Sequence, residues 1–177
     1  GRDYEPGKDS EKAFAMKCGQ QLVFGEQIGW LQPYKYERNG FCWKFAAKAM
    51  NTRYNFRRYF YAGNMLRPPK LSQTQKVTAC WSFCSGDGPV VTTDSVLSGA
   101  WSLPLEHKAV FIFVNVSDST VDTAFSFNAE SYGIKVKSIK RTTVTDLGRP
   151  VLDKIADKVT MKLHMQPRQL TSMELSD

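Results

Sequence analysis

The feature that most constrains this chain is a change of hydrophobic period near residue 72. Beyond it, Val77, Ala79, Trp81 and Phe83 alternate with Thr78, Cys80, Ser82 and Cys84. Val159, Met161, Leu163 and Met165 alternate with Thr160, Lys162 and His164 in the same way. A period of two sends one side of a strand to a core and the other to water. Further segments near 90–93, 96–102, 108–116, 121–127, 132–140, 142–145, 159–165 and 169–175 follow with no long helix between them. Short strands at this spacing predict an antiparallel β-sandwich.

Before residue 72 the pattern is different. Residues 11–21 are rich in helix formers behind Ser10, a candidate N-cap, and predict a short helix. Leu22-Val23-Phe24 is then a brief apolar run ended by Gly25, as expected of a fully buried strand. A second helix is expected from Phe41 to Tyr61, free of Gly and Pro and stopped by Gly63. Placed at helical spacing, Lys44, Lys48, Asn51, Asn55 and Arg58 form a narrow polar stripe, and Cys42, Trp43, Phe45, Ala49, Met50, Tyr54, Phe56 and Phe60 fill the rest. The fold class expected is therefore α+β: an antiparallel β-sandwich over 73–177, preceded over 1–72 by a helix-strand-helix segment. Such a segment cannot cover its own apolar surfaces. A lone buried strand needs neighbours, and helix, strand and helix in that order is how a (β/α)8 barrel ends.

Composition excludes several classes. The chain has 177 residues, 42% hydrophobic and 23% charged, with no uninterrupted apolar run long enough to span a membrane. It opens at Gly1 on a polar stretch without a signal-peptide pattern, which points to a processed product or a piece of something longer. The whole +7 charge surplus lies before residue 73. Lys44, Lys48, Arg53, Arg57, Arg58, Arg67 and Lys70 occupy 41–70 with no acid among them. Such a block attracts anions. Arg53 and Arg57 fall in the apolar arc of the second helix, so each needs a carboxylate, backbone carbonyls or an aromatic face. Glu26, the acid in an apolar context nearby, is the expected ion-pair partner of Arg53 or Arg57.

No P-loop, GxGxxG, GxSxG or HExxH occurs, and no cofactor or metal is implied. Cys18, Cys42, Cys80 and Cys84 are too scattered for a disulfide scaffold and read as free thiols. Asn115-Val116-Ser117 is a glycosylation triplet of the kind that arises by chance. His107 and His164 have no ligand-spaced neighbours in sequence and read as surface histidines.

The stretch Phe24-Gly25-Glu26-Gln27-Ile28-Gly29-Trp30, the aromatic-basic helix after it and Gly63-Asn64-Met65-Leu66-Arg67-Pro68-Pro69 resemble the C-terminal part of a bacterial glycoside-hydrolase-like family. That family is related to the TIM-barrel glycosidases of the α-galactosidase type. The resemblance covers about 12–71, and 74–177 matches in style the all-β domain that follows such barrels. It implies the last barrel unit plus an appended sandwich, a carbohydrate substrate in the full-length protein, and a missing N-terminal barrel. A secreted or periplasmic location goes with it. Glu26, Gln27 and Trp30 would then line the sugar site, but glycoside cleavage needs two carboxylates. No catalytic residue is assigned, and the chain alone is expected to hydrolyse nothing. Two alternatives stay open. One is a carbohydrate-binding module stacking sugars on Trp81 or Trp101; the other is a nucleic-acid binder using 41–70, disfavoured by the zero net charge of the sandwich.

Overall fold

β5 (Lys108–Asn115) organises the molecule. From Ala109 to Val114 every side chain is buried. Ala109, Phe111 and Phe113 enter one hydrophobic cluster, whereas Val110, Ile112 and Val114 enter another. Successive strand side chains point to opposite faces, so a continuous apolar run demands a covering layer on each.

The computed structural model describes residues 8–29, 40–81, 89–135, 138–145 and 150–177. In it β5 sits within a six-stranded antiparallel sheet ordered β1-β4-β5-β10-β7-β8. The other strands of that sheet are β1 (Asn64–Leu66), β4 (Val96–Leu103), β7 (Ser138–Thr145), β8 (Val151–Ala156) and β10 (Leu170–Ser176). One face is covered by the antiparallel pair β6 (Val121–Asn128) and β9 (Lys158–Met165). That is the expected sandwich. Its core is aromatic: the Phe111 ring meets Phe127 at 5.2 Å and Tyr132 at 4.7 Å, both edge to face. Burying each such ring contributes about 1.5–3 kcal/mol, with about 0.5–1.5 more from the ring geometry.

Helices cover the opposite face. α1 (Lys8–Val23) and α2 (Gly40–Asn55) bring Phe14, Met16, Leu22, Cys42, Phe45 and Ala49 into the cluster that holds Val110, Ile112 and Val114. This core crosses residue 72, and β1, from before that point, pairs with β4 inside the sheet. The hairpin of β2 (Lys76–Cys80) and β3 (Val90–Asp94) adds Val77 and Ala79 to the same cluster.

Two expectations are corrected. Leu22-Val23 is not a strand but the last turn of α1, and Phe24-Gly25 is a turn. The Gly25 amide donates to Leu22 O and the Glu26 amide to Gln21 O, at 3.0 and 2.8 Å, with Gly25 at φ +71°. This is the left-handed glycine cap that closes a helix by capturing its last free carbonyls. A short apolar run followed by Gly reads equally as a strand end or a capped helix. Leu22 and Val23 are indeed buried, but by the chain's own sheet, whereas Phe24 is 51% exposed. The second helix is also not continuous to Tyr61. It breaks at Phe56 (φ −103°, ψ 18°), and α3 (Arg57–Ala62) follows.

Candidate functional site

The C-terminal end of α1 carries the residues that the sequence singled out. Gly99 on β4 has no Cβ where one would lie 2.5 Å from Val23 O, so the helix end seats directly on the strand. The Trp101 indole N–H then donates to Val23 O at 3.1 Å. Phe60 from α3 packs edge to face on Trp101 at 5.2 Å. A Cβ on Gly25 would lie 2.7 Å from the Trp101 ring.

Arg53 closes this corner. Its guanidinium donates to Glu26 O at 2.8 Å and to Gly25 O at 3.3 Å, and lies over the Phe60 and Tyr61 rings. A cation on the carbonyl end of a helix also meets the negative pole of its dipole. The expected ion pair is replaced: Arg53 takes the peptide oxygen of Glu26, not its carboxylate, and the Glu26 side chain is exposed. Arg57 donates to Tyr54 O at 2.9 Å and stacks on the Tyr54 ring at 4.3 Å. Both guanidiniums thus use carbonyls and aromatic faces. Gln27 is exposed beside this cap, and Trp30 lies outside the described residues.

Beneath α3, Tyr59 is buried and its hydroxyl donates to Glu174 Oε1 on β10 at 2.8 Å. Burial first, then this bond to a carboxylate, raises the Tyr59 phenol far above its ordinary range. Under α1, burial pushes the Cys18 thiol up to about 12, reinforced by Cys42, and burial lowers the ammonium of Lys17. Cys18, Cys42 and Cys80 are in the thiol form, in no disulfide; Cys84 lies outside the described residues. Among the described residues the two candidate tryptophans form no exposed aromatic row: Trp101 is buried, and Trp81 is half-buried with Lys17 over its ring at 5.4 Å.

Strand register brings together groups that linear spacing hides. Asp122 and His164 are direct partners across β6 and β9, with His164 Nδ1 2.6 Å from Asp122 Oδ1. His164 therefore has a carboxylate neighbour that the sequence reading missed. Both side chains are well exposed, and among the described residues no group of three or more His, Cys, Asp or Glu could hold a metal. Asn115 is fully buried, its amide donating to Ser119 O and Gln166 O while its oxygen accepts from Ser117.

The outer side of α2 carries two neighbouring features. Trp43, Met50 and Tyr54 share one stripe and are 50%, 38% and 64% exposed. Beside them, Lys48, Asn51 and Asn55 face β7 and β10 across a cleft of about 460 Å³. Its floor and far wall come from Leu170, Ser172 and Val144, and the break in the helix puts Phe56 at its end. No described helix is long and apolar enough to cross a membrane.

Comparison with known proteins gives partial likenesses. No family model and no curated protein matches the chain. A solved structure of a Bacillus halodurans protein assigned as an α-N-acetylgalactosaminidase aligns at TM-score 0.36 and 16% identity, over 47% of this chain and 18% of that one. A GH30 endoxylanase from Clostridium papyrosolvens aligns at TM-score 0.31 and 17% identity, over 50% and 23% of the two chains. CelM2, a bifunctional glucanase-xylanase from a metagenome library, aligns at TM-score 0.32 and 12% identity, over 51% and 20%. The alignments thus span about a fifth of the length of these proteins.

Proposed function

We propose that this chain is the C-terminal, by itself non-catalytic part of a glycoside hydrolase, with the catalytic barrel supplied by sequence beyond it. The observation that carries this reading is the outward stripe of α2. Trp43, Met50 and Tyr54 stand in solvent at helical spacing, with Tyr61, 69% exposed, further along. Large apolar side chains grouped on one helix face are the mark of a surface that another unit covers. The motifs at 24–30 and 63–69 flank that helix and are those that resemble the hydrolase family. In this reading Glu26 and Gln27, exposed at the α1 cap, lie at the edge of the junction, where they would meet sugar or barrel rather than perform chemistry alone.

Reducing-end release from a panel of neutral and acidic polysaccharides tests the reading. The full-length natural protein should cleave at least one, and this chain none. Hydrolysis by this chain alone, or a full-length protein without barrel sequence or glycosidase activity, would overturn it.

A further inference from the structure

The six-stranded sheet ends at β8, and among the described residues no strand pairs with the outer side of β8. Every second residue of an edge strand turns its N–H and C=O away from its single neighbour, which makes an open edge a template for another strand. At six residues β8 is long enough for such pairing.

Register sorts its side chains between two faces. On the sandwich side Ile155 stands opposite Ile139, Asp153 opposite Arg141 and Val151 opposite Thr143. Ile155 packs against the aromatic core and Asp153 is held by the Arg141 guanidinium, so this side is apolar at both ends and neutral in the middle. On the other side Leu152 stands opposite Thr142 and Lys154 opposite Lys140. Val151 and Leu152 are adjacent and both exposed, so the edge shows apolar surface on each face. Lys140 and Lys154 are exposed too, and like charges directly across a ladder repel. The acid next to Lys154, Asp153, is turned to the opposite face and does not relieve them.

Two kinds of strand could complete this edge, and charge separates them. When two copies of β8 pair edge to edge and antiparallel, residues of one face meet residues of the same face. Lys154 would then meet Leu152, Lys154 or Ala156 of the second copy, none of them an acid. A lysine so placed works against self-pairing and in favour of a strand that brings a carboxylate to that position. We propose that β8 is a docking edge for an extended segment of another protein, added antiparallel, with an acidic residue opposite Lys154 and apolar residues opposite Val151, Leu152 and Ile155. Main-chain hydrogen bonds along the edge supply the affinity, and the alternating side chains supply the selectivity. From its N-terminal end the complementary segment runs apolar, acidic, small polar, apolar, apolar. This surface is independent of the carbohydrate role proposed above.

The test is fluorescence anisotropy of a labelled Val-Glu-Thr-Leu-Val peptide with polar flanks, titrated with this chain, beside the same peptide with Lys in place of Glu. Saturable binding of the acidic peptide is expected, with amide chemical shifts centred on 151–155. The Lys peptide should bind about fivefold more weakly, the worth of one exposed charge pair. Of two peptides N-methylated at one or the other set of alternate residues, one should lose binding and the other keep it, because only one set turns its N–H groups to β8. Lys154→Glu should invert the preference, so that the Lys peptide binds better than the acidic one. Lys154 is exposed and faces Lys140, so this variant keeps the fold, which far-UV circular dichroism verifies. The proposal is overturned by absence of saturable binding, by a preference that Lys154→Glu leaves unchanged, or by equal binding of the two N-methylated peptides. A dimer in sedimentation velocity that Leu152→Lys disperses would also overturn it and give the edge to a second copy. None of these outcomes depends on the hydrolysis assay.

Discussion

The indole N–H of Trp101 and the carbonyl of Val23 meet at 3.1 Å, and through this bond the sheet holds the end of a helix that the sequence presents as a strand. Trp101→Phe should leave that oxygen buried and unpaired while keeping most of the ring. The expected cost is about 1–3 kcal/mol in urea denaturation. Gly25→Ala should cost more, because it adds a side chain at positive φ where the Trp101 ring stands 2.7 Å away.

Arg53 and Arg57 look equivalent in sequence and should separate in experiment. Arg53→Met removes a guanidinium that holds Glu26 O and Gly25 O together, at an expected cost of about 1–2 kcal/mol. Arg57→Met removes an exposed local stack on Tyr54 and should stay within about 0.5 kcal/mol of the parent. Glu26→Gln should also be near neutral, since the peptide oxygen, not the carboxylate, is the acceptor. A large loss on Glu26→Gln would restore the ion pair that the geometry replaces.

Tyr59 predicts an alkaline limb in stability. Its folded phenol is held neutral well above the ordinary tyrosine value near 10. Between that value and the folded one the unfolded chain binds fewer protons, so stability is fully present below pH 10 and falls as pH rises beyond it. Tyr59→Phe should flatten this limb in urea midpoints between pH 9 and 11, at the cost of leaving Glu174 without its donor.

Asn115-Val116-Ser117 should carry no glycan on the folded protein, even from a glycosylating host, because the Asn115 amide is buried in its own hydrogen bonds. Asn115→Ala should cost about 2–4 kcal/mol by orphaning several buried partners, read as a fall in thermal midpoint. Mass spectrometry showing a sugar at Asn115 in native material would contradict this account of the triplet.

Most strands were legible because alternation marks them directly: β6 and β9 follow the period of two over their whole length. β8 was missed because only Asp153 and Ile155 on it are partly buried, Val151 and Leu152 being exposed, and Asp153 pairs with Arg141 across the register instead of adding an apolar residue. β1 has only three residues and no period to show. The helix break at Phe56 has no Gly or Pro to announce it, and it is that break which shapes the end of the cleft. The residues lining the cleft were visible only as a polar stripe; their opposite wall comes from strands about a hundred positions away. For the α1 cap, Gly25 and the need of Arg53 for carbonyls or aromatic faces were both readable, but the partner, Trp101, was not.

The account turns on the helices being the second cover of the sheet, since that placement sets the α1 cap, the aromatic stripe and the cleft. Residues 73–177 expressed alone lose α1, α2 and β1, which leaves Val110, Ile112 and Val114 facing water. In a urea melt this fragment should show no cooperative transition, while the whole chain melts in a single step. A fragment 73–177 that unfolds cooperatively with a midpoint near that of the whole chain would contradict it.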